Sequence, residues 1–323
     1  MNGKRVFILR KEVALNSDIH LNLNGVNSKE DIKLYIKMVY DWLLDSHASH
    51  YILNGDISFI KEQVLFYREE VINLFGNNIE FHYTNGNHDI GKGNGMTVEE
   101  YSKRKSEDVY HLKNSPIFSE DKVILGMDTL YDYSFYNKDL DSENQLHEEQ
   151  VKALLALTNK RLFDDNVEDF EALKRLSDNC ILSAEENMQE YQNKEIVFVS
   201  HYIPKKEFVA RNTLQDSHLA LKNAMIGTDK IGSMLERNNV TKAYFGPTHR
   251  RLGDTFNNIE YICQPVGLVK DWKKYSNEKT LANGFTIYTK ESIQEVESYL
   301  KEYNPNPQVL NMFLQTIETV QWL

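Results

Sequence analysis

Ile79-Glu80-Phe81-His82-Tyr83-Thr84-Asn85-Gly86-Asn87-His88-Asp89 runs from a strand-like segment straight into a turn. Ile79 to Tyr83 carries β-branched and aromatic residues, and Gly86-Asn87-His88-Asp89 is built from turn formers with side chains able to bind ions. On the N-terminal side, Val64, Val71, Ile72 and Phe75 keep helical spacing, and Gly76 is placed to stop that helix. Before it, Tyr51-Ile52-Leu53 reads as a buried strand ending at Gly55-Asp56. Further back, Ile32, Tyr35, Ile36, Val39 and Leu43 mark one face of a helix, with Ser28 as N-cap and Asp31 in the capping-box position. Val13-Ala14-Leu15 is a short apolar run ending in Asn16-Ser17-Asp18. Strand, helix, strand, helix, strand implies right-handed crossovers and a largely parallel α/β sheet.

On the C-terminal side, Val123-Ile124-Leu125-Gly126 is another strand. Residues 138–193 are rich in Glu, Asp, Lys, Leu and Asn and read as two or three amphipathic helices, for example around Val151–Leu155 and Phe170–Leu176. This segment is expected to be a helical insertion within a single domain spanning 1–323, either a solvated elaboration or a cap over a substrate site. Strands return at Ile196–Val199, ending in Ser200-His201, and at Ala243-Tyr244-Phe245, ending in Gly246-Pro247-Thr248-His249. Thr228-Asp229 can cap a helix through Leu235, and shorter strands are expected at Ile259–Cys263 and Phe285–Thr289. The tail through Trp322 reads as a closing helix packed through Val309, Met312, Phe313, Ile317 and Val320.

The composition is that of a globular chain, with 41% hydrophobic and 26% charged residues. A net charge of -11 disfavours non-specific nucleic-acid binding, which draws on Lys and Arg neutralising phosphates. Cys180 and Cys263 form no CxxC pair and read as buried small hydrophobes, although spacing leaves a single disulfide open. The apolar run after Met1-Asn2-Gly3-Lys4-Arg5 is too short for a signal-peptide core, and no stretch reaches membrane-spanning length. The expectation is a cytoplasmic protein with no membrane partner.

Strand-like runs therefore end in Asp18-Ile19-His20, Gly55-Asp56, Gly86-Asn87-His88-Asp89, His201 and His249. In open α/β sheets ligands bind outside the carboxyl ends of strands. Carboxylate, imidazole and amide oxygen together suit divalent Mn, Fe or Zn. Each motif alone is short; their order and strand context point to a site. His47, His50, His82, His111, His147 and His218 lack this context and read as surface or structural.

The ordered set resembles the calcineurin-like metallophosphoesterase superfamily, across residues 18 to 249. The resemblance implies a four-layer αββα sandwich of two mixed β-sheets flanked by helices. It also implies a two-metal centre that hydrolyses a phosphate mono- or diester of a small phosphorylated substrate with a metal-activated water. One metal would be held by Asp18, His20, Asp56 and His249; Asp56 would bridge to a second, also bound by Asn87 and His201. His88 matches the histidine that protonates the leaving group, and Asp89 either orients it or is a loop residue without catalytic role.

Two departures qualify the resemblance. The pattern Gly-His-x-His becomes Gly246-Pro247-Thr248-His249, so the first His, a ligand of the second metal, is absent. The expectation is a tight first metal and a weaker second one, with Thr248 or the insertion as possible sources of a replacement ligand. Gly55-Asp56 continues as Ile57-Ser58-Phe59, and Asp rather than Glu follows Gly-Asn-His, which separates the chain from serine/threonine phosphatases and places it nearer small bacterial-type phosphoesterases. Tyr131-Asp132-Tyr133-Ser134 reads as a plain aromatic core contact, with lining the site from a neighbouring loop as the alternative, and Arg250-Arg251 as surface, with a phosphate contact as the alternative. A catalytically weakened relative that binds a phosphorylated ligand or a protein is the alternative, and a structural nuclease is disfavoured by the acidic balance.

Overall fold

A computed structural model describes residues 13–89, 108–136, 170–210, 217–268 and 302–323. In chain order the strands are β1 (Val13–Asn16), β2 (His50–Asn54), β3 (Glu80–Thr84), β4 (Ile117–Phe118), β5 (Lys122–Gly126), β6 (Glu195–Val199), β7 (Val240–Tyr244), β8 (Leu252–Phe256), β9 (Ile259–Cys263) and β10 (Gln321–Trp322). The helices are α1 (Lys29–Asp45), α2 (Lys61–Phe75), α3 (Phe170–Gln189), α4 (Ser217–Ala224), α5 (Asp229–Glu236) and α6 (Pro307–Thr319).

Ser28 caps α1 by accepting the Asp31 N–H at 3.0 Å, and Gly76 ends α2 at a φ of +53° that favours glycine. Thr228 caps α5 through its hydroxyl, and Asn306 caps α6 with its Oδ1 on the Val309 N–H. These are the helix ends at which the sequence places capping residues or breakers.

The strands form two mixed sheets rather than one: β10-β1-β2-β3 and β4-β5-β6-β7-β9-β8. The first is parallel except for β10; the second is parallel through β5, β6, β7 and β9, with β4 and β8 antiparallel at its edges. The period-2 alternation of the strands divides the core into three zones. Ala14, Tyr51, Leu53 and Phe81 face α1, α2 and α6. Val123, Leu125, Ile196 and Phe198 face α3 and α5 on the other side. Val13, Leu15, Ile52, Ile124, Val197, Val199 and Tyr244 meet between the sheets. The result is the four-layer αββα sandwich.

Of the segment 138–193, only the part from 170 onward lies among the described residues. There α3 buries Leu173, Cys180, Ile181, Ala184 and Met188 in the core of the second sheet. It lies in the connection from β5 to the parallel strand β6, so this stretch is a crossover that closes a layer. The expected helix near Val151–Leu155 and strand Phe285–Thr289 lie outside the described residues.

The tail departs from the expected helix after Thr319, where Gln321–Trp322 pairs antiparallel with β1. The strands β4 and β8 were also not foreseen; β8 carries Gly253, Asp254 and Thr255 largely exposed, so it shows no apolar alternation. Cys180 and Cys263 are buried thiols, not joined in a disulfide. Among the described residues, no helix is long and apolar enough to cross a membrane.

Candidate metal centre

The carboxyl ends of β1, β2, β3, β6 and β7 converge on one edge of the sandwich, and each passes directly into a motif segment. Backbone bonds tie these segments together: Asp18 N–H to Gly55 O at 3.1 Å, His20 N–H to Asp56 O at 3.0 Å, and Gly246 N–H to His201 O at 2.9 Å. Asp18, His20, Asp56 and His249 take positive φ values of 57°, 40°, 59° and 50°. For L-residues this left-handed region costs roughly 1–2 kcal/mol each, and such strain concentrates at functional sites.

The glycines answer a different constraint. A Cβ on Gly86 would stand 2.0 Å from Asp56 Oδ1, and one on Gly55, at φ +76°, 2.6 Å from Gly86 N and 2.7 Å from His201 Nδ1. Those two turns are therefore in contact through their backbones, and the contact is what brings Asp56 beside Asn87 and His88.

Asp18, His20, Asp56 and His249 each offer one donor atom, all within 4.8 Å of one another. His20 Nε2 lies 3.8 Å from Asp18 Oδ1, 3.7 Å from Asp56 Oδ2 and 2.8 Å from His249 Nε2. His201 Nε2 lies 3.4 Å from Asp56 Oδ2 and 3.2 Å from Asn87 Oδ1. His88 Nε2 lies 3.6 Å from Asp56 Oδ2, and the His88 N–H donates to Asp56 Oδ1 at 2.9 Å. All seven residues singled out from the sequence thus meet in one place, with Asp56 at the centre.

The donor set fits divalent cations. Both oxygens of Asp18 and Oδ2 of Asp56 are buried without a hydrogen-bond partner, an arrangement that costs several kcal/mol per ion unless a counter-charge is supplied. Burial drives the Asp18 carboxyl up to about 6. Against the burial that alone would lower it, Asp56 and Asp18 raise His201 to about 10. His201 Nδ1 faces the Asn54 carbonyl oxygen at 3.1 Å, so that nitrogen carries a proton and Nε2 is the one turned toward Asp56 and Asn87.

Further residues support the centre, and Asn54, Asp128 and Phe59 among them were not assigned to it from the sequence. Asn54 donates from Nδ2 to Ser200 O at 3.0 Å and accepts the Thr84 hydroxyl at 2.6 Å, stitching the two sheets at the site. Asp128, fully buried, accepts the Asn85 N–H and side-chain amide at 2.8 Å each and contacts His111 Nε2 at 2.8 Å. Asp89 does not bond His88 among its contacts here; its carboxylate accepts the N–H groups of Asp56, Ile57 and Gly86 at 2.7, 2.9 and 2.9 Å. Phe59 lies against His88 with ring centroids 3.6 Å apart. Asn54 and Phe59 had the sequence signal of lying beside motif residues, Asp128 had none, and Asp89, read as a partner of His88 or a plain loop residue, is instead a clamp on the turns.

The remaining expectations resolve as follows. Thr248 Oγ1 is engaged with the Arg250 backbone and Cys263 Sγ. Tyr131 and Tyr133 are buried in the outer core of the second sheet, beside Tyr202. Arg250 and Arg251 are partly buried rather than on the open surface, held by Phe208 O and by Gln315 and Glu318. His111 and His82 are buried and His47 is exposed.

No protein-family model matches the sequence, and neither does any curated protein. Among solved structures, phosphopantetheinyl hydrolase from Mycobacterium tuberculosis is similar over 86% of this chain and 98% of its own, with a TM-score of 0.61 at 15% identity. A dimetal phosphatase from Danio rerio is similar over 78% of this chain and 86% of its own, with a TM-score of 0.42 at 13% identity. The first of these likenesses shows a shared fold, the four-layer αββα sandwich.

Proposed function

We propose that this chain is a metal-dependent phosphoesterase of the calcineurin-like superfamily, hydrolysing a phosphate mono- or diester of a small molecule. The observation that carries this reading is the convergence of Asp18, His20, Asp56, Asn87, His88, His201 and His249 from two different sheets onto one buried cluster. Asp18, His20, Asp56 and His249 would hold a first cation, and Asp56, Asn87 and His201 a second. Two divalent cations, when bound, supply Lewis-acid stabilisation of phosphoryl oxygens and a nucleophile from water at neutral pH.

The protein's own part is positional. Asn54 fixes His201 through its carbonyl, and the His88 N–H fixes Asp56. His88, with 18% of its side chain exposed, stands at the open side of the cluster, where it can reach a leaving-group oxygen. Burial lowers His88 to about 4, with Asp56 opposing; the negative charge of a bound phosphate ester acts in the direction that restores its proton. Phe59 against its ring limits how far the imidazole can turn.

Pro247 favours a second reading, a weakened relative that binds a phosphorylated ligand without turnover. Stripped protein reloaded with Mn²⁺ and given p-nitrophenyl phosphate and its bis ester separates the two. A phosphopantetheinyl ester belongs in the panel because the structurally similar hydrolase is named for that group. Turnover that falls about 10²-fold or more in His88→Ala supports the esterase with His88 as acid. No turnover of any ester with Mn, Fe or Zn supports the binding module.

A further inference from the structure

At the opposite end of the first sheet, where β2 and β3 begin, a second group of donors comes together. His50 and Glu80 are register partners across β2 and β3, and His82 lies two residues beyond Glu80 on the same face. That face is the inner one, because Ile52, two residues beyond His50, belongs to the core between the sheets. His50 Nδ1 lies 3.3 Å from His82 Nε2, Glu80 Oε1 3.4 Å from His82 Nε2, and Glu80 Oε2 3.7 Å from His50 Nδ1. None of these residues belongs to the centre already described, which stands about 15 Å away along the strands at 3.3 Å per residue.

Those three separations have a geometric meaning. Donor atoms bonded to one tetrahedral ion at about 2.0–2.2 Å stand roughly 3.3–3.6 Å from one another. The imidazole pair already stands at that spacing, and the Glu80 carboxylate meets each ring through one of its oxygens at 3.4 and 3.7 Å, so a turn of the Glu80 side chain closes the trio on one ion without rearrangement of the backbone. Two imidazoles and one carboxylate are a donor set that suits zinc, with water in the fourth position. His82 is buried and held in the sheet, which supplies a rigid half of the site. Access comes from the other half: the Glu80 side chain is 61% exposed, and His50 lines a cleft of about 260 Å³ between the sheets, with Lys122, Lys242 and Tyr244 in its walls.

We propose that His50, Glu80 and His82 form a separate binding site for a zinc-class divalent cation, clamping the starts of β2 and β3. The site is independent of the phosphoesterase reading. Its role is that of a tie between two neighbouring strands, since the donors lie on the edge remote from the converging motif loops.

The test is a zinc titration of the full chain, with Zn²⁺ alone as probe, followed by chelator competition and thermal unfolding. Wild type is expected to bind one more equivalent of zinc than His50→Ala or Glu80→Gln, both at partly exposed positions that spare the buried core. Zinc at ~100-fold above its dissociation constant should raise the Tm of wild type by about 5 °C, and this extra shift should be missing in both variants. Asp18→Asn, which removes a ligand of the other centre, should leave the one-equivalent difference and the extra shift attributable to His50 and Glu80 in place when H50A is compared with its parent in that background. Hydrolysis of p-nitrophenyl phosphate, where present, should be unchanged in H50A and E80Q. Equal zinc stoichiometry in wild type, H50A and E80Q, or absence of the one-equivalent difference between D18N and D18N carrying H50A, overturns the proposal and leaves a hydrogen-bonded histidine pair.

Discussion

Replacing Asp89 by Asn tests whether a carboxylate that touches no proposed metal ligand side chain nevertheless builds the centre. In the structure Asp89 is 5% exposed; Oδ2 accepts the N–H groups of Asp56 and Gly86, and Oδ1 that of Ile57. An asparagine can keep its oxygen on the first pair only by turning its NH₂ toward the Ile57 N–H. Two charge-assisted bonds then become neutral ones, each weaker by about 1 kcal/mol, and one buried N–H is orphaned at about 1–3 kcal/mol. Against this, removing a charge that burial disfavours and Asp56 repels, with the attraction of Arg68 lost alongside, gives back about 1 kcal/mol net. The lost hydrogen bonds win, for a net destabilisation of about 3 kcal/mol. The Gly55-Asp56 and Gly86-Asn87 turns loosen with it, so metal affinity should fall about 10–100-fold. Urea unfolding of the metal-free protein gives the first quantity from a shifted midpoint at constant slope, and Mn²⁺ titration gives the second. A D89N protein within 0.5 kcal/mol of wild type, with unchanged metal affinity, would refute the view that this carboxylate holds the two turns together.

Asp18→Asn should separate stability from binding: with both carboxylate oxygens buried and unpartnered, the metal-free variant should be more stable than metal-free wild type by about 1–2 kcal/mol, while the tighter of the two metal steps disappears from the titration. Pro247→His restores a donor beside Gly246 and is expected to tighten the weaker metal step by at least ~10-fold; an unchanged isotherm would show that the missing ligand is not what limits it. Gly86→Ala places a methyl 2.0 Å from Asp56 Oδ1 and 2.6 Å from Asp56 N, which should cost about 3 kcal/mol or more in thermal or urea unfolding and abolish tight metal binding. Wild-type stability in G86A would mean that the two turns do not pack as described.

The sequence alone determined the local grammar of this protein and the chemical identities at its candidate centre. Ser28, Gly76 and Thr228 announced helix ends because caps and breakers act within a few residues, and Asp18, His20, Asp56, Asn87, His88, His201 and His249 stood out because they follow apolar strand-like runs. Only the tertiary structure decided which strands share a sheet, because pairing energies come from partners remote in the chain. The tail shows this: Trp322 pairs with Ala14 across the whole polypeptide, and nothing in a two-residue strand can encode that locally. The same distance hid the bracing by Asn54, which reaches Ser200, and turned Asp89 from a candidate partner of His88 into a clamp on three backbone N–H groups. His50 and His82 carried no strand-end signal either, and they become neighbours only because β2 and β3 align in parallel register. Burial periodicity is written into a chain one residue after another, whereas register and convergence exist only once the layers have packed.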